Sequence, residues 1–236
     1  MKAILLDLDD TLLDDRCATD KALSALLKFH RHALPEESDL QSRSRWRRLA
    51  GEHWQRFERA EVSFAGQRRQ RVCDFLGSAL DDAAADAAFE PYRQVYESSW
   101  ALLPGVARFL QATALIPKVI VTNGEREQQL RKIRSCGLTS YIVGVVTPMD
   151  CGYWKPDPRI FLAAMRLLSV EAKDCLMIGD DLSKDIEPAK RLGMQALLVE
   201  PGLFGQRLVE QILKQFPESG VGELLPGLPS SLADSV

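Results

Sequence analysis

The sequence predicts an α/β fold, a doubly wound parallel sheet into which a helical domain is inserted. Three observations predict it. The run Ala3-Ile4-Leu5-Leu6 is apolar on both parities, as a central parallel strand buried on both faces must be. From Leu103-Pro104-Gly105 to Val199, short apolar runs alternate with helix-length segments, the signature of βαβ units. Between these regions, from Asp20 to about Trp100, no strand pattern occurs. The expected division is therefore a core of residues 1–13 and 103–236 and a helical domain of residues 14–102. Asp14, Asp15, Leu102 and Leu103 mark the hinges.

The first strand runs straight into acids. Asp7 and Asp9 lie two residues apart, so at a strand end they project to the same side. The carboxyl end of a parallel strand is where open α/β sheets place ligands. In the inserted domain, Leu23, Leu26, Leu27 and Leu34 fit one helical face. Trp46, Leu49, Ala50, His53, Trp54 and Phe57 fit a second. Val72, Phe75, Leu76 and Leu80 form a third, and the alanine-rich run 83–88 begins a fourth. At helical spacing the aromatic residues read as the core of this domain. Between Arg43 and Arg71 stand nine arginines and three glutamates, a local charge of 9 − 3 = +6. That run reads as a solvated helix face, offset by the acids between Asp74 and Glu97.

In the second half, Val106 to Gln111 is a short helix after Pro104, and Lys118 to Thr122 a strand. Glu125 to Cys136 is a helix stopped by Gly137. Ile142 to Val146 is a strand, Asp157 to Leu168 a helix with Pro158 near its start, and Cys175 to Gly179 a strand. A helix follows to Leu192. Pro188 limits how early it begins, because an interior proline removes a backbone bond. Gln195 to Val199 is the last strand, and Gly205 to Phe216 an amphipathic tail helix.

Composition excludes several classes. Hydrophobic residues make up 46% and charged residues 27%, with a net charge of −3, so no basic domain suited to nucleic acid is present. Five scattered cysteines with no CxxC suggest reduced thiols in a cytoplasmic setting. The three histidines fall in predicted helices, apart from any zinc-like cluster. No apolar run approaches the ~20 residues that span a bilayer. The chain begins almost at its first strand, so no signal peptide is expected.

Four pieces carry chemistry. Asp7 and Asp9 are the first. Thr122-Asn123-Gly124 closes a strand with a hydroxyl and amides able to hold an anion. Lys155 stands before a helix in the stiff stretch Lys155-Pro156-Asp157-Pro158, where an ammonium holds phosphate as a point charge. Gly179-Asp180-Asp181-Leu182-Ser183-Lys184-Asp185 ends another strand in oxygen donors suited to Mg²⁺. Within it, Asp181 reads as part of an acidic turn and Ser183 as a cap of the next helix.

Taken together, these pieces resemble the motifs of the haloacid dehalogenase-like (HAD) hydrolase superfamily. Asp7 to Thr11 resembles its first motif, Thr122 its second, Lys155 its third, and Gly179 to Asp185 its fourth. The insertion is similar to the family's helical cap of the first type. Within the family, the chain is similar to the small-metabolite phosphatases grouped with N-acylneuraminate-9-phosphatase and pyrimidine 5′-nucleotidase. The resemblance implies a Rossmann-like core and a Mg²⁺-dependent, cytoplasmic phosphomonoesterase acting on a small phosphorylated metabolite. It implies that Asp7 forms an aspartyl-phosphate and that Asp9 protonates the leaving alcohol and then activates water. The metal would be held by Asp7, the Asp9 backbone carbonyl and Asp180, with Asp185 supporting the site from behind. Thr122, the Asn123 amide and Lys155 would bind phosphoryl oxygens, and the cap would close to exclude water. A phosphomutase of the β-phosphoglucomutase type, a haloacid dehalogenase and a non-catalytic phosphometabolite-binding protein stay open as alternatives. Asp9, Asp180 and Asp185 argue against the dehalogenase, which works without metal. Substrate and oligomeric state are not specified by the sequence.

Overall fold

The computed structural model describes residues 1–34 and 36–199. Two compact units emerge, Asp14–Ala101 and the remainder, Met1–Leu13 with the chain from Leu102 onward.

The larger unit is built on five parallel strands: β1 (Ala3–Leu6), β2 (Lys118–Val121), β3 (Gly144–Val146), β4 (Cys175–Gly179) and β5 (Gln195–Leu198). Their order across the sheet is β3-β2-β1-β4-β5, so the chain winds outward on one side of β1, then returns to its other side. This order reversal makes a switch point beside β1, where open α/β sheets bind ligands. Side-chain parity sends Ile4 and Leu6 to one face and Ala3 and Leu5 to the other. The first face packs on α5 (Val106–Ala112) and α6 (Arg126–Ser135), through Val106, Phe109, Leu110 and Ile133. The second packs on α8 (Pro158–Leu168), through Ile160, Phe161, Ala164 and Met165. Burial on both faces explains why β1 lacks the polar alternation of a half-exposed strand.

Register fixes the site. Leu6 pairs with Ile120 on one side and Ile178 on the other. Asp7, Thr122 and Asp180 therefore leave the sheet at one edge, within one or two residues of paired positions. The short helix α7 (Pro148–Cys151) and the cis Lys155–Pro156 bond precede α8, which Asp157 caps through the Arg159 N–H.

After β4 the chain does not wait for Pro188 to become helical. A π-helical turn spans Leu182–Ile186 and continues into α9 (Glu187–Arg191), with Pro188 in its first turn. The Ile186 N–H reaches back five residues to the Asp181 carbonyl. The wider turn admits the proline where an α-helical bond to residue 184 would need its absent N–H. The tail helix expected at Gly205 to Phe216 lies outside the described residues.

The smaller unit holds α1 (Asp15–Phe29), α2 (Asp39–Glu58), α3 (Phe64–Leu76) and α4 (Asp82–Ser98). Ser38 with Gln41 forms a capping box on α2, while Ser63 and Asp81 cap α3 and α4. Trp46 is fully buried, edge-on to Phe75 at 5.0 Å and beside Phe89 and Tyr92. Trp54 and Phe57 pack with Phe64 in a second aromatic group. Seven of the nine arginines pair with acids of this unit: Arg43, Arg45, Arg47, Arg48, Arg56, Arg59 and Arg69. Arg69 pairs with Asp82 and Asp86, two of the acids between Asp74 and Glu97, and Arg68 acts on Asp86 and Glu90 of the same stretch. Arg68 and Arg71 also lie over the rings of Phe64 and Trp46, each at 4.5 Å.

Among the described residues, no helix is long and apolar enough to cross a membrane.

Candidate active site

Asp7 is the centre of the site. Its backbone N–H still bonds the Ile178 carbonyl at 2.9 Å, so the sheet holds the residue in place. Its Oδ1 accepts from Lys155 Nζ at 2.6 Å and its Oδ2 from the Thr11 hydroxyl at 2.9 Å. Thr11 returns to the site because the chain folds tightly after β1. Asp10 takes a left-handed φ of 59°, a conformation aspartate tolerates better than most residues. The Leu12 and Leu13 N–H groups then both bond the Leu8 carbonyl. This turn also carries Asp9 away from Asp7, although both leave one strand end.

Lys155 joins two carboxylates, since its Nζ is also 2.6 Å from Asp185 Oδ1. All three side chains are nearly inaccessible. Burial, then repulsion from Asp185, raises the Asp7 pKa against the attraction of Lys155. Burial likewise raises Asp185, with Asp180 adding repulsion. Burial works against the Lys155 charge, yet Asp7 and Asp185 hold its pKa above the ordinary lysine value. One ammonium thus serves two carboxylates that ionise reluctantly.

Asp7, Asp180 and Asp185 each offer an oxygen within 4.8 Å of the others. This donor set is hard and all-oxygen, as Mg²⁺ prefers. Asp185 contributes one oxygen to this group and also touches Lys155. Its position depends on Gly179, where a Cβ would come within 2.4 Å of Asp185 Oδ2. Asp181, rather than Ser183, caps the turn, accepting from the Ser183 and Lys184 N–H groups.

Thr122 follows β2, and its N–H bonds the Val146 carbonyl at 3.1 Å. Its Oγ1 accepts from the Gly124 N–H at 3.0 Å. The Asn123 side chain fastens the Lys155 backbone from both directions, donating to its carbonyl at 2.9 Å and accepting from its N–H at 2.7 Å. This clamp ties the loop after β2 to the loop that carries Lys155. The side-chain role was not foreseen, because the sequence reading gave Asn123 only a backbone amide.

Asp9 is held separately. Lys132 Nζ lies 2.6 Å from its Oδ1 and Gln129 Nε2 lies 2.8 Å from its Oδ2. Both partners come from α6 and were missed in the sequence. The available signal was a helix whose inward positions, 129, 132 and 133, include two polar residues.

The family of haloacid dehalogenase-like hydrolases matches residues 1–193. Phosphoserine phosphatase of Thermus thermophilus is 30% identical over 235 residues, covering 86% of this chain and 90% of that protein. N-acylneuraminate-9-phosphatase of Homo sapiens is 24% identical over 200 residues, covering 83% and 81%. Among solved structures, the HAD hydrolase YfnB from Bacillus subtilis bound to magnesium has a TM-score of 0.73 at 23% identity, covering 90% of this chain and 98% of that one. The strand order around Asp7 and the match over residues 1–193 agree, and the chain belongs to the haloacid dehalogenase-like hydrolase family.

Proposed function

We propose that the protein is a Mg²⁺-dependent phosphatase that hydrolyses a small phosphorylated metabolite through an aspartyl-phosphate on Asp7. The carrying observation is the Asp7 carboxylate itself, fixed between Lys155 and Thr11 and within 4.8 Å of oxygens of Asp180 and Asp185. The similarity to a phosphoserine phosphatase and an N-acylneuraminate-9-phosphatase supports the reaction class and a small phosphorylated substrate.

In this reading, an Asp7 oxygen forms a bond to phosphorus while the bond to the leaving alcohol oxygen breaks. Asp9 gives that oxygen its proton, then takes a proton from the water that attacks the acyl phosphate. Inorganic phosphate leaves and the Asp7 carboxylate is restored. Lys155 Nζ and the Thr122 hydroxyl bind phosphoryl oxygens. A Mg²⁺ ion held by Asp7, Asp180 and Asp185 would supply charge neutralisation between nucleophile and phosphate.

The test is phosphate release from a panel of nucleoside monophosphates, sugar phosphates, phosphoserine and flavin mononucleotide, with Mg²⁺ or with EDTA. Release that requires Mg²⁺ is expected. Equal release in EDTA would remove the metal, and silence across the panel from folded protein would remove the phosphatase. Gly179→Ala provides a finer check. Its Cβ would meet the buried Asp185 side chain from Oδ2 to Cβ and displace it, so the half-saturating Mg²⁺ concentration should rise about 10–100-fold. An unchanged magnesium titration would show that Asp185 does not set ion affinity.

A further inference from the structure

We infer that Gln129 and Lys132 are positioning residues that fix the carboxylate of Asp9, and that Gln129 couples it to the phosphate-binding hydroxyl of Thr122. The inference rests on the phosphatase reading above and assigns roles to two residues outside the four motifs.

The geometry assigns each atom one task. Gln129 is fully buried, and its Nε2 lies 2.8 Å from Asp9 Oδ2 and 2.8 Å from Thr122 Oγ1. An amide nitrogen has two hydrogens, so each of these oxygens receives one. Against an ionised Asp9 paired with Lys132, the reverse amide orientation would set oxygen against oxygen, so the nitrogen faces that carboxylate. Gln129 Oε1 is buried and has no hydrogen-bond partner among the described residues. Leaving a buried acceptor unsatisfied costs about 1–3 kcal/mol, so the side chain holds this orientation for its two donors.

The consequence for Thr122 is directional. Its Oγ1 already accepts from the Gly124 N–H and from Gln129. With both acceptor positions used, the hydroxyl has only its hydrogen left to offer. It becomes an oriented donor, as a phosphoryl oxygen requires. The consequence for Asp9 is equally specific. Lys132, 1% exposed, holds Oδ1 while Gln129 holds Oδ2, so the plane of the carboxylate is set. Gln129 and Lys132 lie three apart on α6 and thus on one helix face. Gly124 belongs to the same device, because a Cβ there would meet Gln129 Nε2 at 1.9 Å. Only glycine lets the amide lie across the end of β2.

Leaving-group dependence isolates this role. Departure of an alkyl alcohol needs a proton from Asp9, whereas 4-nitrophenolate leaves without one. The quantity kcat/KM reports steps up to departure of the alcohol, so later water activation does not enter. Gln129→Leu and Lys132→Met should each lower kcat/KM for an alkyl phosphate about 10²-fold and for 4-nitrophenyl phosphate less than tenfold. Gly124→Ala leaves both side chains in place but displaces the amide, and should shift the ratio in the same direction. In an Asp9→Asn background, Gln129→Leu should leave the ratio unchanged, because the group it orients is gone. The Mg²⁺-dependent rise in melting temperature, measured on every variant, verifies an intact fold and ion site. Equal losses on both substrates in folded variants would overturn the positioning of Asp9 and leave Gln129 acting through Thr122 alone, and no loss on either substrate would overturn both roles. A wild-type protein silent on both substrates would overturn the phosphatase reading and this inference with it.

Discussion

Asp7→Asn is expected to lower turnover by roughly 10⁴-fold or more while leaving the protein folded. The carboxamide fills nearly the same space and keeps one oxygen to accept from Lys155, which sits 2.6 Å from Asp7 Oδ1. Its NH₂ then faces Thr11, whose hydroxyl can accept and turn its hydrogen toward Asp180 Oδ1, 3.4 Å away. What is lost is the anionic oxygen proposed to bond to phosphorus. Stability should be equal or slightly higher at neutral pH, because burial first, and Asp185 next, raise the Asp7 pKa. A carboxylate with a raised folded pKa costs stability above that pKa, and the cost vanishes once the pH falls below the unfolded value. Any gain in the variant should therefore be present at neutral pH and absent in acid. The measurement is phosphate release at saturating Mg²⁺ together with mass spectrometry of acid-quenched enzyme. Wild-type protein should give a phosphorylated species on the peptide carrying Asp7, and the variant none. Wild-type-like turnover by Asp7→Asn would remove covalent catalysis from the proposal.

The sheet and its site edge were legible because burial on both faces demands uninterrupted apolar runs, and each such run here ends in a chemical group. Ala3–Leu6 leads to Asp7, Lys118–Val121 to Thr122 and Cys175–Gly179 to Asp180. A short strand brings such groups together once the register is set. Gln129, Lys132 and the side chain of Asn123 were illegible for the opposite reason. Their partners lie 120, 123 and 32 residues away, and no local pattern announces a contact of that range. A buried lysine on a helix reads as a surface lysine until its carboxylate is found. The π-helical turn at Leu182–Ile186 was hidden by a sound local rule about Pro188, which the chain satisfies by widening one turn.

Lys155→Met should show that the lysine proposed to bind phosphate is also structural in this site. Its Nζ is the shared partner of Asp7 and Asp185, at 2.6 Å from each, and the Asp185 side chain is 1% exposed. Removing one partner of a buried pair leaves an uncompensated charge and costs about 3–5 kcal/mol. For a chain of this size, that is a fall in melting temperature on the order of 10 °C in EDTA. Two treatments should return part of it. Mg²⁺ supplies positive charge to the same carboxylates, so the variant should gain more from the ion than the wild-type protein does. Acid also helps. Without Lys155 both carboxyl pKa values rise further, so the penalty is full above them and is relieved as pH falls through them. The wild-type lysine, whose own pKa is raised, keeps its contribution until the pH climbs past the ordinary lysine range. The melting gap between the two proteins should thus narrow on acidification. Turnover at saturating Mg²⁺, assayed well below the melting point, should still fall about 10²–10³-fold, because the ion neutralises the carboxylates without replacing the ammonium on the phosphoryl oxygens. Equal melting temperatures in EDTA would mean that Asp7 and Asp185 need no cation to stay buried, and Lys155 would then serve phosphate alone.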